Sequence, residues 1–129
     1  MVNDVVSILD LKWIMHSVIG DPEHEGISEG QRKRVSIGVE LVGDPSLLFL
    51  DEPTSGLDSA TSYAVMNALK KLSQKGANVI AVLHQPSYQI FELFDDAIFI
   101  ARDGYSVYVG PASEAMTFFS SQGFSCPPR

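Results

Sequence analysis

Two adjacent carboxylates, Asp51 and Glu52, follow the apolar run Leu47-Leu48-Phe49-Leu50. Four apolar residues bounded by turn formers predict a short strand buried on both faces of a parallel sheet. Asp51 then emerges at the C-terminal end of that strand, the edge where open α/β sheets place their ligands. A carboxylate at that point can hold Mg²⁺, directly or through water. Its neighbour Glu52 can orient or deprotonate an attacking water. A strand that simply ends in two solvated acids has the same pattern, so the pair alone does not decide. His84 closes a second apolar run, Val79-Ile80-Ala81-Val82-Leu83. A histidine there can donate a hydrogen bond to a phosphate oxygen or to the attacking water. In isolation such a histidine is more often structural, and His16 and His24 read as surface or loop residues.

A third cluster lies upstream, in Gly26-Ile27-Ser28-Glu29-Gly30-Gln31. Ser28 reads as a helix N-cap with Gln31 as its capping-box partner. A helix N-terminus with a hydroxyl and free backbone N–H groups suits an anion such as a phosphate.

The elements that must position these residues follow from periodicity. Apolar positions Val5, Ile8, Leu9, Ile14 and Val18 predict a helix over about residues 3–19. Gly20-Asp21-Pro22 breaks it, and a polar loop leads to Gly26. The capped helix runs from Ser28 to about Leu41 and ends before Gly43-Asp44-Pro45. After the first strand, a turn through Pro53 and Gly56 reaches Asp58 or Ser59, either of which can cap the next helix. That helix has Val65, Leu69 and Leu72 on one face, and Gly76 is placed to end it. Strand, helix and strand at this spacing form a βαβ unit with a right-handed crossover. Ser87 then caps a short helix carrying Ile90, Phe91 and Phe94. Residues 97–101 and 106–109 read as a hairpin through Asp103-Gly104. A last helix spans about residues 112–122, and Cys126-Pro127-Pro128-Arg129 reads as a linker stub. Phe91, Phe94, Phe118 and Phe119 are expected as core or docking residues.

The 129 residues are 45% hydrophobic and 19% charged, with a net charge of −7, which marks a globular chain and disfavours nucleic acid as a partner. The run Arg32-Lys33-Arg34 is accordingly read as charge on a helix rather than a phosphate-binding patch. Cys126 is the only cysteine, so no disulfide forms within the chain, and a reducing compartment is expected. No apolar run approaches the ~20 residues that cross a bilayer, and the N-terminus lacks the pattern of a signal peptide.

Residues 50–59, Leu-Asp-Glu-Pro-Thr-Ser-Gly-Leu-Asp-Ser, resemble the Walker B and D-loop of ABC ATPases residue for residue. Residues 26–35 resemble the ABC signature sequence, whose usual core is Ser-Gly-Gly-Gln, and His84 matches the family's switch histidine in its distance from Asp51-Glu52. The flanks are similar to the G subfamily of ABC transporters: Ser17-Val18-Ile19-Gly20-Asp21, the run from Gln31 to Gly38, His84-Gln85-Pro86-Ser87, Phe94-Asp95-Asp96 and Tyr108-Val109-Gly110-Pro111. The resemblance covers nearly the whole chain. It implies a partial P-loop NTPase-like α/β domain, a mainly parallel sheet flanked by helices, without its Walker A half. It implies ATP and Mg²⁺ as cofactors, Asp51 as the metal ligand, and Glu52 and His84 as the catalytic pair. Ser28, Glu29, Gly30 and Gln31 would meet the γ-phosphate of an ATP held by an opposite ATPase domain. Ser55, Gly56 and Asp58 would cross the interface with that domain.

Glu29 departs from the pattern, which has glycine there. A glutamate in the first turn favours the helix through its dipole. It also brings a carboxylate toward a phosphate, and two like charges ~4 Å apart repel by about 4 kcal/mol at an effective dielectric near 20. The signature half-site is therefore expected to be weakened.

No Gly-x-x-x-x-Gly-Lys-Ser/Thr phosphate loop occurs in the 129 residues. The resemblance thus implies a chain that begins after the first half of the domain and stops before the membrane helices. Residues 1–43 would end the helical subdomain, residues 44–124 would form the C-terminal part of the catalytic core, and residues 125–129 would be the stub. The expected setting is the cytosolic face of a membrane, with a second ATPase domain and the protein's own transmembrane domain as partners and lipids or other hydrophobic compounds as cargo. A truncated, non-catalytic pairing module and a soluble ABC ATPase without a transport role are the competing readings. Without the phosphate loop, the chain alone should not bind ATP tightly.

Overall fold

The computed structural model describes residues 2–20 and 26–125. His24, Asp21-Pro22 and the stub from Cys126 onward lie outside the described residues. The chain forms two compact units, the first ending at Ser87 and the second beginning at Tyr88.

The first unit runs α1 (Val2–Ile8), α2 (Glu29–Leu41), β1 (Leu47–Asp51), α3 (Ser59–Ser73) and β2 (Asn78–Val82), with a 3-10 turn at Lys12–Ile14 following α1. The single helix expected over residues 3–19 is therefore broken. Asp10 takes a left-handed backbone, φ +54°, so that both of its neighbours, Leu9 and Leu11, turn into the core. Burying two flanking leucines outweighs one left-handed residue, a conformation aspartate tolerates better than most. Beyond the break the helical pattern does not hold: Trp13 and Val18 are exposed.

The capping box is present as expected. Ser28 Oγ accepts from the Gln31 N–H at 3.3 Å, and Gln31 Oε1 accepts from the Ser28 N–H at 2.8 Å. Ile37 and Leu41 of α2 are buried with Val5 of α1 and Val65, Met66 and Leu69 of α3. Truncating Leu9 or Leu69 to alanine in such a cluster costs about 2–5 kcal/mol.

β1 and β2 pair in parallel, Leu47 with Asn78 through Asp51 with Val82. The expectation of strands buried on both faces is corrected here. Leu48 is buried, whereas Leu47, Phe49, Ile80 and Val82 are exposed on the opposite face. The helices cover one side of this two-stranded sheet, and the apolar run leaves the other side open.

In the second unit, α4 (Tyr88–Phe91) precedes the antiparallel hairpin of β3 (Asp96–Ile100) and β4 (Ser106–Pro111), then a 3-10 turn at Ala112–Glu114 and α5 (Ala115–Ser121). The hairpin is a separate sheet from β1–β2, so the described strands form one parallel and one antiparallel pair. Its inner face is aromatic, with the rings of Phe99 and Phe119 centred 5.1 Å apart and those of Tyr108 and Phe118 also 5.1 Å apart. Phe118 and Phe119, expected as core or docking residues, are half-buried in this ring cluster, and Phe99 joins them from β3.

Candidate functional site

Parallel register ends β1 and β2 side by side, with Asp51 opposite Val82. The Glu52 N–H extends the pairing by one residue, donating to the Val82 carbonyl at 3.0 Å. Both chains then turn sharply. Glu52 has φ +45° and Gln85 has φ +46°. Left-handed backbone at a non-glycine residue costs about 1–3 kcal/mol and persists where the surroundings enforce it. His84 lies two residues past Val82 and is exposed. Asp51 shares the open face of the sheet with Phe49, and Glu52 is half-buried. Asp51, Glu52 and His84 therefore stand on the same C-terminal edge of the parallel pair.

The turn after Glu52 is tightly closed. Pro53 is fully buried, and the Ser55 N–H donates to the Glu52 carbonyl at 3.1 Å. Gly56 adopts φ +76°, which glycine takes without strain. Asp58 then caps α3. Its Oδ1 accepts from the N–H groups of Ala60 and Thr61 at 3.0 and 3.1 Å, and its Oδ2 accepts from the Thr61 hydroxyl at 2.6 Å. The Thr61 hydroxyl, followed by the two backbone donors, holds this carboxyl below the usual carboxylate range.

The first turn of α2 sits against this segment. A Cβ at Gly30 would fall 2.2 Å from Thr61 Cγ2, so the absence of a side chain lets α2 and α3 approach. A Cβ at Gly56 would lie 3.2 Å from Glu29 Oε1. Glu29 thus lies against Gly56, and Gly30 against Thr61, whose hydroxyl bonds the capping residue Asp58. Gln31 spends its side-chain oxygen on the capping box.

Sequence reasoning missed two contributors. Thr61 both fills the space beside Gly30 and holds Asp58, a role visible only once α2 and α3 are packed. The basic run is no solvated face: Arg32, Lys33 and Arg34 are half-buried. Arg34 Nη1 donates to the Leu9 carbonyl at 3.0 Å, and Lys33 Nζ donates to the Glu52 carbonyl at 3.3 Å.

Among the described residues no group of three or more His, Cys, Asp or Glu side chains could cage a metal. The donors at the end of β1 are two carboxylates. That set suits Mg²⁺, which takes one or two carboxylates and completes its shell with phosphate oxygens and water.

The sequence and fold are also similar to those of known proteins. A family profile described as ABC transporter matches residues 2–55, and one described as ABC-2 type transporter matches residues 84–129. Two solved structures share the fold at 20% sequence identity. One is an ATP-binding cassette of an ABC transporter in its ADP conformation, at TM-score 0.71 over 90% of this chain and 44% of that one. The other is a nucleotide-free ATP-binding cassette from an ABC transporter, at TM-score 0.73 over 92% of this chain and 45% of that one. By sequence, the chain belongs to the ABC transporter family. Its relatives there are of the G family: it is 52% identical over 97% of its length to ABC transporter G family member 25 of Oryza sativa subsp. japonica. It is 46% identical over its whole length to ABC transporter G family member 28 of Arabidopsis thaliana. It is 47% identical over 98% of its length to the broad substrate specificity ATP-binding cassette transporter ABCG2 of Mus musculus. The chain spans 12% of each plant relative and 19% of the mouse one. No helix among the described residues is long and apolar enough to cross a membrane.

Proposed function

We propose that the chain is the second half of the ATP-hydrolysing domain of a G-type ABC transporter, coupling ATP hydrolysis to export of lipids or other hydrophobic compounds. The observation that carries this reading is the shared edge of β1 and β2. It sets Asp51 and Glu52 beside the strand that leads to His84, with the Glu52 N–H bonded to the Val82 carbonyl. In this reading Asp51 holds Mg²⁺, Glu52 orients or deprotonates water, and His84 donates to a phosphate oxygen or to that water. Bound Mg-ATP would supply the phosphoryl group and the cation that neutralises its charge. Ser28, Gly30 and Gln31 would face a nucleotide held by an opposite ATPase domain, with Ser55, Gly56 and Asp58 along the boundary. Residues 1–43 would close the helical subdomain and residues 44–124 the catalytic core. The setting would be the cytosolic face of a membrane, through a transmembrane domain.

A second reading, a non-catalytic pairing module, draws on the Glu29 carboxylate lying against Gly56. Two measurements separate the readings. The first is ATP binding and Mg²⁺-dependent hydrolysis by the 129-residue chain. The second is turnover by a G family transporter whose corresponding segment is replaced by this chain, with Glu52→Gln as control. Turnover in the graft that Glu52→Gln abolishes supports the catalytic reading. A graft that binds ATP and closes but does not turn over supports the pairing module.

A further inference from the structure

The Glu52 backbone is held from three directions. Its N–H donates to the Val82 carbonyl of β2 at 3.0 Å. Its carbonyl accepts from the Ser55 N–H at 3.1 Å and from Lys33 Nζ of α2 at 3.3 Å. The residue so held is in the left-handed region, φ +45°, from which any relaxation to ordinary backbone would swing its side chain to another direction. The first two contacts belong to the strand and the turn. The third comes from a different element and is charge-assisted, hence stronger than a neutral hydrogen bond of like geometry.

We propose that Lys33 is a positioning residue for Glu52: its ammonium pins the Glu52 carbonyl, keeps the strained turn, and so aims the carboxylate. Lys33 is half-buried, and its bond to the Glu52 carbonyl is partly buried with it. It sits one helical turn beyond Glu29, whose carboxylate lies over Gly56 of the same turn. The start of α2 therefore touches the segment from Glu52 to Gly56 at both of its ends. A shift of α2, when its first turn meets a nucleotide on an opposite domain, would reach Glu52 through Lys33. This proposal rests on the reading of Glu52 as the residue that acts on water.

The experiment uses the grafted transporter with Lys33→Met, Lys33→Arg and Glu52→Gln. Lys33→Met is expected to lower kcat by about tenfold to a hundredfold, the scale of a misplaced catalytic group. KM for Mg-ATP should change by less than about twofold, because Lys33 is not proposed to touch nucleotide. Lys33→Arg, which keeps charge and donors, should restore most of kcat. Turnover unaffected by Glu52→Gln overturns the functional reading, and this proposal with it. Turnover lost in Glu52→Gln but kept in Lys33→Met overturns the role of Lys33 alone, as does a raised KM at constant kcat. Hydrogen exchange on the 129-residue chain decides the point without turnover. Lys33→Met should speed exchange of the Glu52 and Ser55 amides by about tenfold or more while the Leu69 amide is unchanged. Equal protection at Glu52 and Ser55 in both chains overturns the proposal.

Discussion

The carboxylate of Glu29, in the first turn of α2, lies over Gly56, so close that a methyl group there would come within 3.2 Å of its Oε1. Glu29 is itself exposed, with its carboxylate lying against Gly56. It adds a negative charge at the N-terminus of α2, a helix end that otherwise favours an anion, and so would oppose a phosphate brought there. Glu29→Gly should therefore raise ATP turnover in the grafted transporter. It should also lower the stability of the isolated chain by about 0.5–1 kcal/mol, since the helix loses a favourable first-turn charge. Steady-state hydrolysis and urea unfolding measure the two effects. Unchanged turnover would mean that Glu29 is tolerated at the signature helix.

Gly30 and Thr61 bring α2 and α3 into contact. Because a Cβ at residue 30 would overlap Thr61 Cγ2 at 2.2 Å, Gly30→Ala should destabilise the chain by about 1–3 kcal/mol. Thr61 cannot swing aside freely, because its hydroxyl is bonded to Asp58. Thr61→Ser removes the methyl and keeps that hydroxyl. The double variant Gly30→Ala/Thr61→Ser should recover most of the loss in a thermal-unfolding cycle. Additive losses would show that the clash is relieved elsewhere.

Much of this arrangement could be read from local pattern. The Ser28–Gln31 capping box, the Asp58 cap and the strand–helix–strand unit are all set by residues a few positions apart. The aromatic pairing of Phe99 with Tyr108 is different, since it follows from the register between the two strands of the hairpin. What escaped the sequence depends on partners distant along the chain. Asp10 breaks the first helix because Leu9 and Leu11 both find a core, and nothing in their spacing shows that. The run from Leu47 to Leu50 has the composition of a strand covered on both sides, yet the described residues cover one. Lys33 looks like one charge in a basic run until the turn at Glu52 comes beneath it.

The open face of the β1–β2 sheet has a direct consequence. Leu47, Phe49, Ile80 and Val82 lie side by side on it, with Phe49 69% exposed. An apolar sheet face of this kind promotes association. The isolated 129-residue chain should self-associate with rising concentration in analytical ultracentrifugation. Phe49→Ser should weaken that association while shifting the unfolding midpoint little, because the exposed ring makes few core contacts. A wild-type chain that stays monomeric would show the face to be covered in solution.

Asp58 gives the chain a defined response to acid. Its carboxyl is held below the ordinary range, foremost by the Thr61 hydroxyl and then by the N–H groups of Thr61 and Ala60. In the unfolded chain the same group has an ordinary aspartate pKa near ~3.9. The folded state thus binds this proton less readily than the unfolded state does. The resulting stabilisation is fully present above the unfolded value and is lost as pH falls through the folded one. Unfolding midpoints followed from pH 6 downward should accordingly hold steady to about pH 5 and then decline. Asp58→Asn keeps an oxygen that can accept from the α3 N–H groups but cannot titrate. It should lower the midpoint at neutral pH, where the charged cap is lost, and make the decline below about pH 5 shallower. An acid limb of equal slope in both proteins would show that other carboxylates govern it and that the Thr61 contact does not hold the Asp58 charge in solution.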